Sequence, residues 1–120
     1  MKYEYDSDKL RKNYEDEKHM TRKYGKTISD GMIKLICILE AADNAYDIKS
    51  NNFLFMEHKH GNLKEYYSIS LDKKKSKWRV MIQMLDENGK VLVPTDNEKE
   101  FLKSIKNIKI KELSEHYGEY

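Results

Sequence analysis

The side chains that could bind an anion or move a proton lie in the second half of the chain. They include two histidines two positions apart, a lysine after a glycine turn, an arginine in an apolar segment and a histidine–tyrosine pair near the end. These candidates for catalysis are His58, His60, Lys64, Arg79, His116 and Tyr117. Basic side chains neutralise phosphates, and histidine transfers protons near neutral pH. The combination suits RNA as a ligand, although a lone histidine in a strand is usually just an exposed residue.

Arg79 is the second residue of a predicted strand within the segment SKWRVMIQML (76–85), which alternates as strands do. One face of that strand carries Trp78, Val80, Ile82 and Met84, and the other carries Arg79, Met81, Gln83 and Leu85. A guanidinium keeps its charge, so among apolar neighbours it needs a partner, water or an anionic ligand. Both faces carry apolar residues, which predicts that both meet other parts of the protein.

Positive charge is concentrated in the middle of the chain. The chain of 120 residues has a net charge of +2, whereas residues 49–85 contain eight Lys/Arg and three Asp/Glu. A basic segment in a nearly neutral protein favours an anionic partner. The predicted RNA-contacting residues are Lys59, Lys64, Tyr66, Lys73, Lys74, Lys75 and Lys77. Taken alone, the segment DKKKSK (72–77) is more typical of a solvated loop.

Other chemistries find little support in the sequence. The histidines of HKH (58–60) have no third ligand at a recognisable spacing, so no metal site is predicted. There is no P-loop, dinucleotide fingerprint or nucleophile elbow, and no cofactor is predicted. Cys37 lies among isoleucines and is predicted to be a core residue. One cysteine, no signal-peptide region and no membrane-length apolar run predict a cytoplasmic protein.

The hydrophobic pattern predicts one α+β domain over residues 1–120. A short strand (2–6) precedes a helix that starts at Ser7 or Asp8 and ends at Gly25. Thr27 and Asp30 resemble a capping box at the start of a second helix. The two helices are predicted to form an antiparallel hairpin covering one face of a sheet.

The rest of the chain is predicted to be mainly strands. Residues 43–53 have the composition of a loop. Strands are predicted within 54–60, 65–72, 76–85, 90–93 and 108–120, with a short helix after the capping sequence TDNE (95–98). The last strand loses its alternation between Ile110 and Leu113, which indicates a bulge or a strand end. The second sheet face, with Tyr66, Ser68 and Arg79, is predicted to be partly open to solvent.

The order of these segments resembles the RelE/ParE superfamily of toxins from bacterial toxin–antitoxin pairs, and within it the HigB-like branch. The resemblance covers nearly the whole chain and lies in the segments KYGK, LEAADN, HKHGNLKEYYSISL, KWRVMIQM and IKELSEHYGEY. It implies a RelE-like microbial RNase fold, with an N-terminal helical hairpin packed on a small, mainly antiparallel, twisted sheet. Two segments depart from the family pattern: a helix-containing insertion at 94–107 and a long connection at 71–77.

The resemblance implies a ribosome-dependent endoribonuclease that cuts mRNA in the bacterial cytoplasm. The 2′-oxygen would attack the adjacent phosphorus, leaving 2′,3′-cyclic phosphate and 5′-hydroxyl ends. Arg79 matches the arginine that contacts the scissile phosphate, Lys64 the lysine after the glycine turn, and His58–His60 the basic residues before it. His116 and Tyr117 match the C-terminal acid/base position. The implied partners are the ribosome, mRNA and a HigA-like antitoxin with a helix-turn-helix, through which alone DNA would be contacted.

Two other functions remain compatible with the sequence. ParE-like relatives share the fold, bind gyrase and have no nuclease site. A module that recognises RNA without cutting it would carry the same cations and aromatics. Arg79, His116 and Tyr117 together favour the nuclease.

Overall fold

The structure, a computed structural model, describes residues 1–115 and shows an α+β architecture. The strands are β1 (Lys2–Tyr5), β2 (Glu57–His58), β3 (Tyr66–Ile69), β4 (Arg79–Leu85), β5 (Val91–Leu92) and β6 (Asn107–Ser114). The helices are α1 (Asp8–Glu15), α2 (Glu17–Tyr24), α3 (Lys26–Ala41), α4 (Ala45–Lys49) and α5 (Glu98–Ser104). None of the helices in this part of the chain is long and apolar enough to cross a membrane.

The six strands form one sheet in the order β1-β6-β4-β3-β2, with β5 paired to the end of β4. The β1–β6 pair is parallel and the other pairs are antiparallel. The predicted α+β class with a mainly antiparallel sheet is therefore confirmed. β4 lies in the centre, so the strand that begins with Arg79 has neighbours on both sides.

The main core lies on one face of the sheet. Val80, Ile82 and Met84 of β4 belong to it, as the alternation predicts, together with apolar residues of α3. Gly31 lets α3 approach the chain beyond β3, because a Cβ at this position would collide with the carbonyl oxygen of Leu71. This contact explains a glycine inside a helix, where it otherwise lowers stability.

The N-terminal helices differ from the prediction in two places. The helix expected to run from residue 8 to Gly25 is divided at Asp16, which ends α1 and whose side chain accepts a hydrogen bond from the His19 amide at the start of α2. α3 begins at Lys26 directly after Gly25 (φ 91°), so the predicted start at Thr27 is wrong. A glycine with positive φ turns the chain here without a side-chain cap.

Cys37 is exposed, which corrects its prediction as a core residue.

The predicted loop at 43–53 contains the helix α4. Asn44 caps it by accepting hydrogen bonds from the amides of Tyr46 and Asp47. Ala45 and Ile48 are buried, and the Ala45 amide donates to the Ile105 carbonyl. Two apolar residues in a polar window give too weak a period to identify such a short helix.

Three later elements are shorter or begin elsewhere than predicted. The segment 54–60 contributes only Glu57–His58 as a strand, and 90–93 only Val91–Leu92. α5 is capped by Asn97, whose side chain accepts a hydrogen bond from the Glu100 amide. The irregularity predicted in β6 is confirmed, because the β4–β6 register shifts between Val80 and Ile82.

Candidate functional site

The candidate site lies on the sheet face opposite the main core. Strand alternation places Arg79, Met81 and Gln83 on this face, because Val80 and Ile82 are in the core. In the register, Gln83 has Tyr66 of β3 on one side and Lys109 of β6 on the other, and Ser114 lies beside Arg79. We call the surface formed by Lys59, Tyr66, Arg79, Gln83, Lys109 and Lys111 the cationic face.

The floor of the cationic face is buried, as predicted for a strand with apolar residues on both faces, and the predicted partial opening to solvent holds for Tyr66 and Arg79 but not for Ser68. Met81, Gln83 and Ser68 are buried, whereas Tyr66 and Arg79 are half-buried. Met81 belongs to the face away from the helices, so neighbouring side chains must cover it. The side chains of Lys59 and Lys111 are only 19% exposed, as expected when lysine stems lie along a surface, and Lys111 Nζ forms an ion pair with Asp6 Oδ1 at 3.1 Å.

Within the described residues, Arg79 is anchored through one nitrogen. Its Nη1 donates hydrogen bonds to the carbonyl oxygens of Ser76 (2.7 Å) and Trp78 (2.9 Å). Within residues 1–115, no acceptor contacts its Nε or Nη2. These two nitrogens form the fork that binds a phosphate or carboxylate in a bidentate manner. Within the described residues, the guanidinium is thus held in position by Nη1, and its Nε and Nη2 donors have no acceptor there.

A short ion-pair network borders Arg79 at the β2 edge. Lys74 Nζ pairs with Glu57 Oε1, and Lys59 Nζ lies 3.9 Å from Glu57 Oε2. The hydrogen bond from Lys74 is the main cause of a lowered pKa at Glu57, to which the charges of Lys74, Lys59 and Arg79 add. Glu57 is therefore an anion near neutral pH and orients the lysines instead of donating a proton.

The predicted catalytic histidines lie on the other face of the sheet. His58 pairs with the buried Tyr67, and their ring centroids are 5.0 Å apart. The His60 ring lies 5.1 Å from that of His58, and His58 Nε2 is 2.8 Å from the carbonyl oxygen of Lys64. The structure brings His58, His60 and the Lys64 backbone together at an edge of the core, and it does not bring these histidines to Arg79.

The remaining proton carriers, His116 and Tyr117, lie outside the described residues. β6 ends beside Arg79, since its last residue, Ser114, is the register partner of Arg79. Along the chain, His116 is two residues and Tyr117 three residues after Ser114.

The predicted RNA-contacting lysines of the 72–77 connection belong to a loop of defined shape. Ser70 and Asp72 are buried, and Ser70 Oγ donates to Asp72 Oδ1 (3.2 Å) and accepts from the Lys74 amide (2.7 Å). Lys73 and Lys74 have left-handed backbone conformations. Lys75 is exposed beside them, and Lys77 lies at the end of the loop before β4.

Sequence reasoning missed Lys109 and Lys111 of the cationic face, and Glu57 beside it. For Lys109 the alternation in NIKIKEL (107–113) was a usable signal, because the buried Ile108 and Ile110 place it on the opposite side. Within residues 1–115, no group of three or more His, Cys, Asp or Glu side chains could hold a metal ion. Comparison of the chain with protein-family models, with curated proteins and with solved structures finds no significant match.

Proposed function

We propose that this protein is a toxin of the RelE/ParE superfamily, of the HigB-like branch, with a RelE-like fold. Its activity would be ribosome-dependent endonucleolytic cleavage of mRNA, which stops translation in the bacterial cytoplasm. The observation that carries this proposal is Arg79, fixed through Nη1 on a lysine-rich sheet face with Nε and Nη2 directed to no acceptor in the described residues. The resemblance of the segment order to the family supports the same conclusion.

The proposed reaction uses the ribose next to the scissile phosphate. Its 2′-oxygen attacks phosphorus, its proton passes to a base, and the leaving 5′-oxygen takes a proton from an acid. The products are a 2′,3′-cyclic phosphate and a 5′-hydroxyl. Arg79 would stabilise the extra negative charge of the phosphorane by two charge-assisted hydrogen bonds.

Proton transfer is assigned in this proposal to the C-terminal residues. His58 and His60 are separated from Arg79 by the sheet, whereas His116 and Tyr117 follow the residue paired with Arg79. The ribosome would contribute rate by holding the mRNA in line for attack. A cognate antitoxin, HigA-like and with a helix-turn-helix, would neutralise the toxin and supply the contact with DNA.

The test is incubation of the purified protein with translating ribosomes and a defined message. We expect cuts within codons, only in the presence of ribosomes, with products that carry cyclic phosphate and 5′-hydroxyl ends. A 5′-phosphate end would mean that water attacked the phosphorus. Uncut message would contradict the proposed nuclease activity altogether.

A second candidate is an RNA-binding module without catalysis. The hydrogen bonds from Arg79 to the carbonyls of Ser76 and Trp78 favour it, because they give the arginine a structural role in the turn before β4. Tight, salt-dependent binding of ribosomes with no cleavage of message would select this candidate.

A further inference from the structure

Three non-glycine residues of residues 1–115 have a positive φ, and they lie in one surface region. They are Phe55 (φ 47°), Lys73 (φ 56°) and Lys74 (φ 63°). Residues with a Cβ disfavour this conformation, and a bulky aromatic residue rarely adopts it. Such strain persists only where the surroundings enforce it, and it is concentrated at functional sites.

The surroundings of Phe55 force its ring outward. Its neighbours Leu54 and Met56 are buried, and their carbonyl oxygens accept hydrogen bonds from the Ser70 amide (2.8 Å) and from Lys49 Nζ (2.8 Å). The partly buried hydrogen bond from the Lys74 amide to Ser70 Oγ fixes the opposing lysine loop. Phe55 is left 42% exposed between these anchors, which is unusual for a phenylalanine.

Lysine side chains surround the exposed ring and its neighbour. Lys74 Nζ lies 5.2 Å from the centre of the Phe55 ring. The ring of Phe53 has Lys34 Nζ at 4.3 Å and Lys73 Nζ at 5.5 Å. Because Glu57 pairs with Lys74 and also lies 3.9 Å from Lys59 Nζ of the cationic face, this region is continuous with that face.

We infer that Phe55 is a stacking platform for an unpaired RNA base, with Lys73 and Lys74 holding the phosphates next to that base. The inference rests on the proposed function only in taking RNA as the ligand. Aromatic rings stack on the face of any base, and flanking lysines neutralise the backbone. A protein partner fits less well, because one ring among ammonium groups offers little contiguous apolar surface. The base must be unpaired, since a duplex hides its base faces.

The test measures binding by the protein alone, without ribosomes. A fluorescently labelled single-stranded octaribonucleotide of uridine or adenosine is titrated, with a blunt RNA duplex of the same length as comparison. We expect Phe55→Leu to weaken single-strand binding about 5- to 100-fold and duplex binding little. Phe55→Tyr should bind as the wild type does, because it keeps the ring. Val93→Ala, at another exposed large apolar residue of the described chain, is the matched control and should leave RNA binding unchanged.

Salt dependence separates the two parts of the platform. Lys73→Gln with Lys74→Gln should lower the slope of log K against log salt by about 1.4, since each single-strand phosphate contact contributes about 0.7. Phe55→Leu should leave the slope unchanged. A wild-type slope in the lysine double variant would overturn the role of this loop.

Two results would overturn the platform itself. One is wild-type binding by Phe55→Leu, and the other is the absence of an upfield ring-current shift of the base protons when the oligonucleotide binds the wild-type protein. The second measurement needs no variant, so misfolding cannot obscure it. If the wild type cleaves message while Phe55→Leu binds normally, the platform fails and the nuclease stands. If Phe55→Leu binds poorly but the wild type never cleaves, the platform stands and the nuclease fails.

Discussion

At the scale of the residue, Arg79 combines a structural and a proposed catalytic role in different nitrogens. Arg79→Ala removes both the fork and the hydrogen bonds to Ser76 and Trp78. We expect cleavage to fall by a factor on the order of 10² to 10⁴, by analogy with other phosphate- and oxyanion-stabilising donors. Arg79→Lys should recover only part of the rate, because an ammonium lacks the bidentate fork. Cleavage rates on stalled ribosomes measure both.

The stability of the same variants distinguishes catalysis from folding. Loss of two surface-edge hydrogen bonds should lower the free energy of unfolding by about 1 to 3 kcal/mol. Arg22→Ala, at an exposed arginine of α2, is the matched control and should alter neither rate nor stability. Full toxicity of a folded, well-expressed Arg79→Ala variant would contradict the assignment.

Proton transfer gives a second prediction at this scale. His116→Ala should lose about 10²-fold or more in cleavage rate, and Tyr117→Phe less, because an imidazole titrates near neutral pH and a phenol near 10. His60→Ala is the matched control, since His60 lies on the face away from Arg79 and should retain activity. A dead His60→Ala variant with a normal His116→Ala variant would reverse these roles.

At the scale of the element, we expect a Gly→Ala substitution at Gly31 in α3 to have the opposite of its usual effect on helix stability. In an exposed helix position, Gly→Ala raises stability by about 1 kcal/mol. At Gly31 the added methyl group meets the Leu71 carbonyl, so we expect Gly31→Ala to lower stability by roughly 1 to 3 kcal/mol. Denaturant unfolding measures the change.

Thr27→Ala provides the control in the same helix. Thr27 is exposed and α3 has no side-chain cap bond at its start, so its replacement should leave stability unchanged or slightly higher. A loss of about 1 kcal/mol in Thr27→Ala would instead support the capping box that the sequence indicates. A gain in Gly31→Ala would show that α3 has room to move away from Leu71.

The elements also show how far the sequence could predict this fold. The hydrophobic periodicity was strong enough to predict α3, β4 and the irregularity in β6, because apolar residues recur along the buried face of each element. The short elements were not predictable: α4 depends on a cap at Asn44, and β2 has two residues. The break at Asp16 was missed because the apolar stripe continues across it, from Tyr14 to Met20.

The same limit applies to the candidate site. Alternation alone predicted that Arg79 lies on the face opposite the buried Val80 and Ile82, and the isoleucines of β6 would have predicted the same face for Lys109. It could not say on which face His58 lies, because one residue of register at the β2 edge exchanges the two faces. The pairing of His58 with Tyr67 is information that only the assembled sheet contains.

At the scale of the whole molecule, charge and apolar surface are divided between regions. The cationic face lies on one side of the sheet, whereas a groove of about 380 Å³ lies between β1 and α3. The groove is lined by Tyr3, Tyr5, Tyr14, Glu15, Glu17, Ser29, Met32, Ile33, Ile36, Cys37 and Glu40. If the proposed function holds, its apolar residues and three glutamates would fit an apolar, basic segment of the antitoxin. Inhibition would then come from added bulk that excludes the toxin from the ribosome, and the cationic face would stay uncovered.

Cys37 makes this prediction measurable, because it is the one cysteine of the chain, is exposed and lines the groove. We expect the cognate antitoxin to slow alkylation of Cys37 by N-ethylmaleimide at least about tenfold, since a filled groove excludes the reagent. A variant with Cys37→Ser and Val93→Cys moves the thiol to an exposed position outside the groove lining and should react equally fast in the complex. Ile33→Asp should weaken the complex and restore alkylation. Unchanged Cys37 reactivity, with amide protection centred on residues 58–79, would show that the antitoxin covers the site instead.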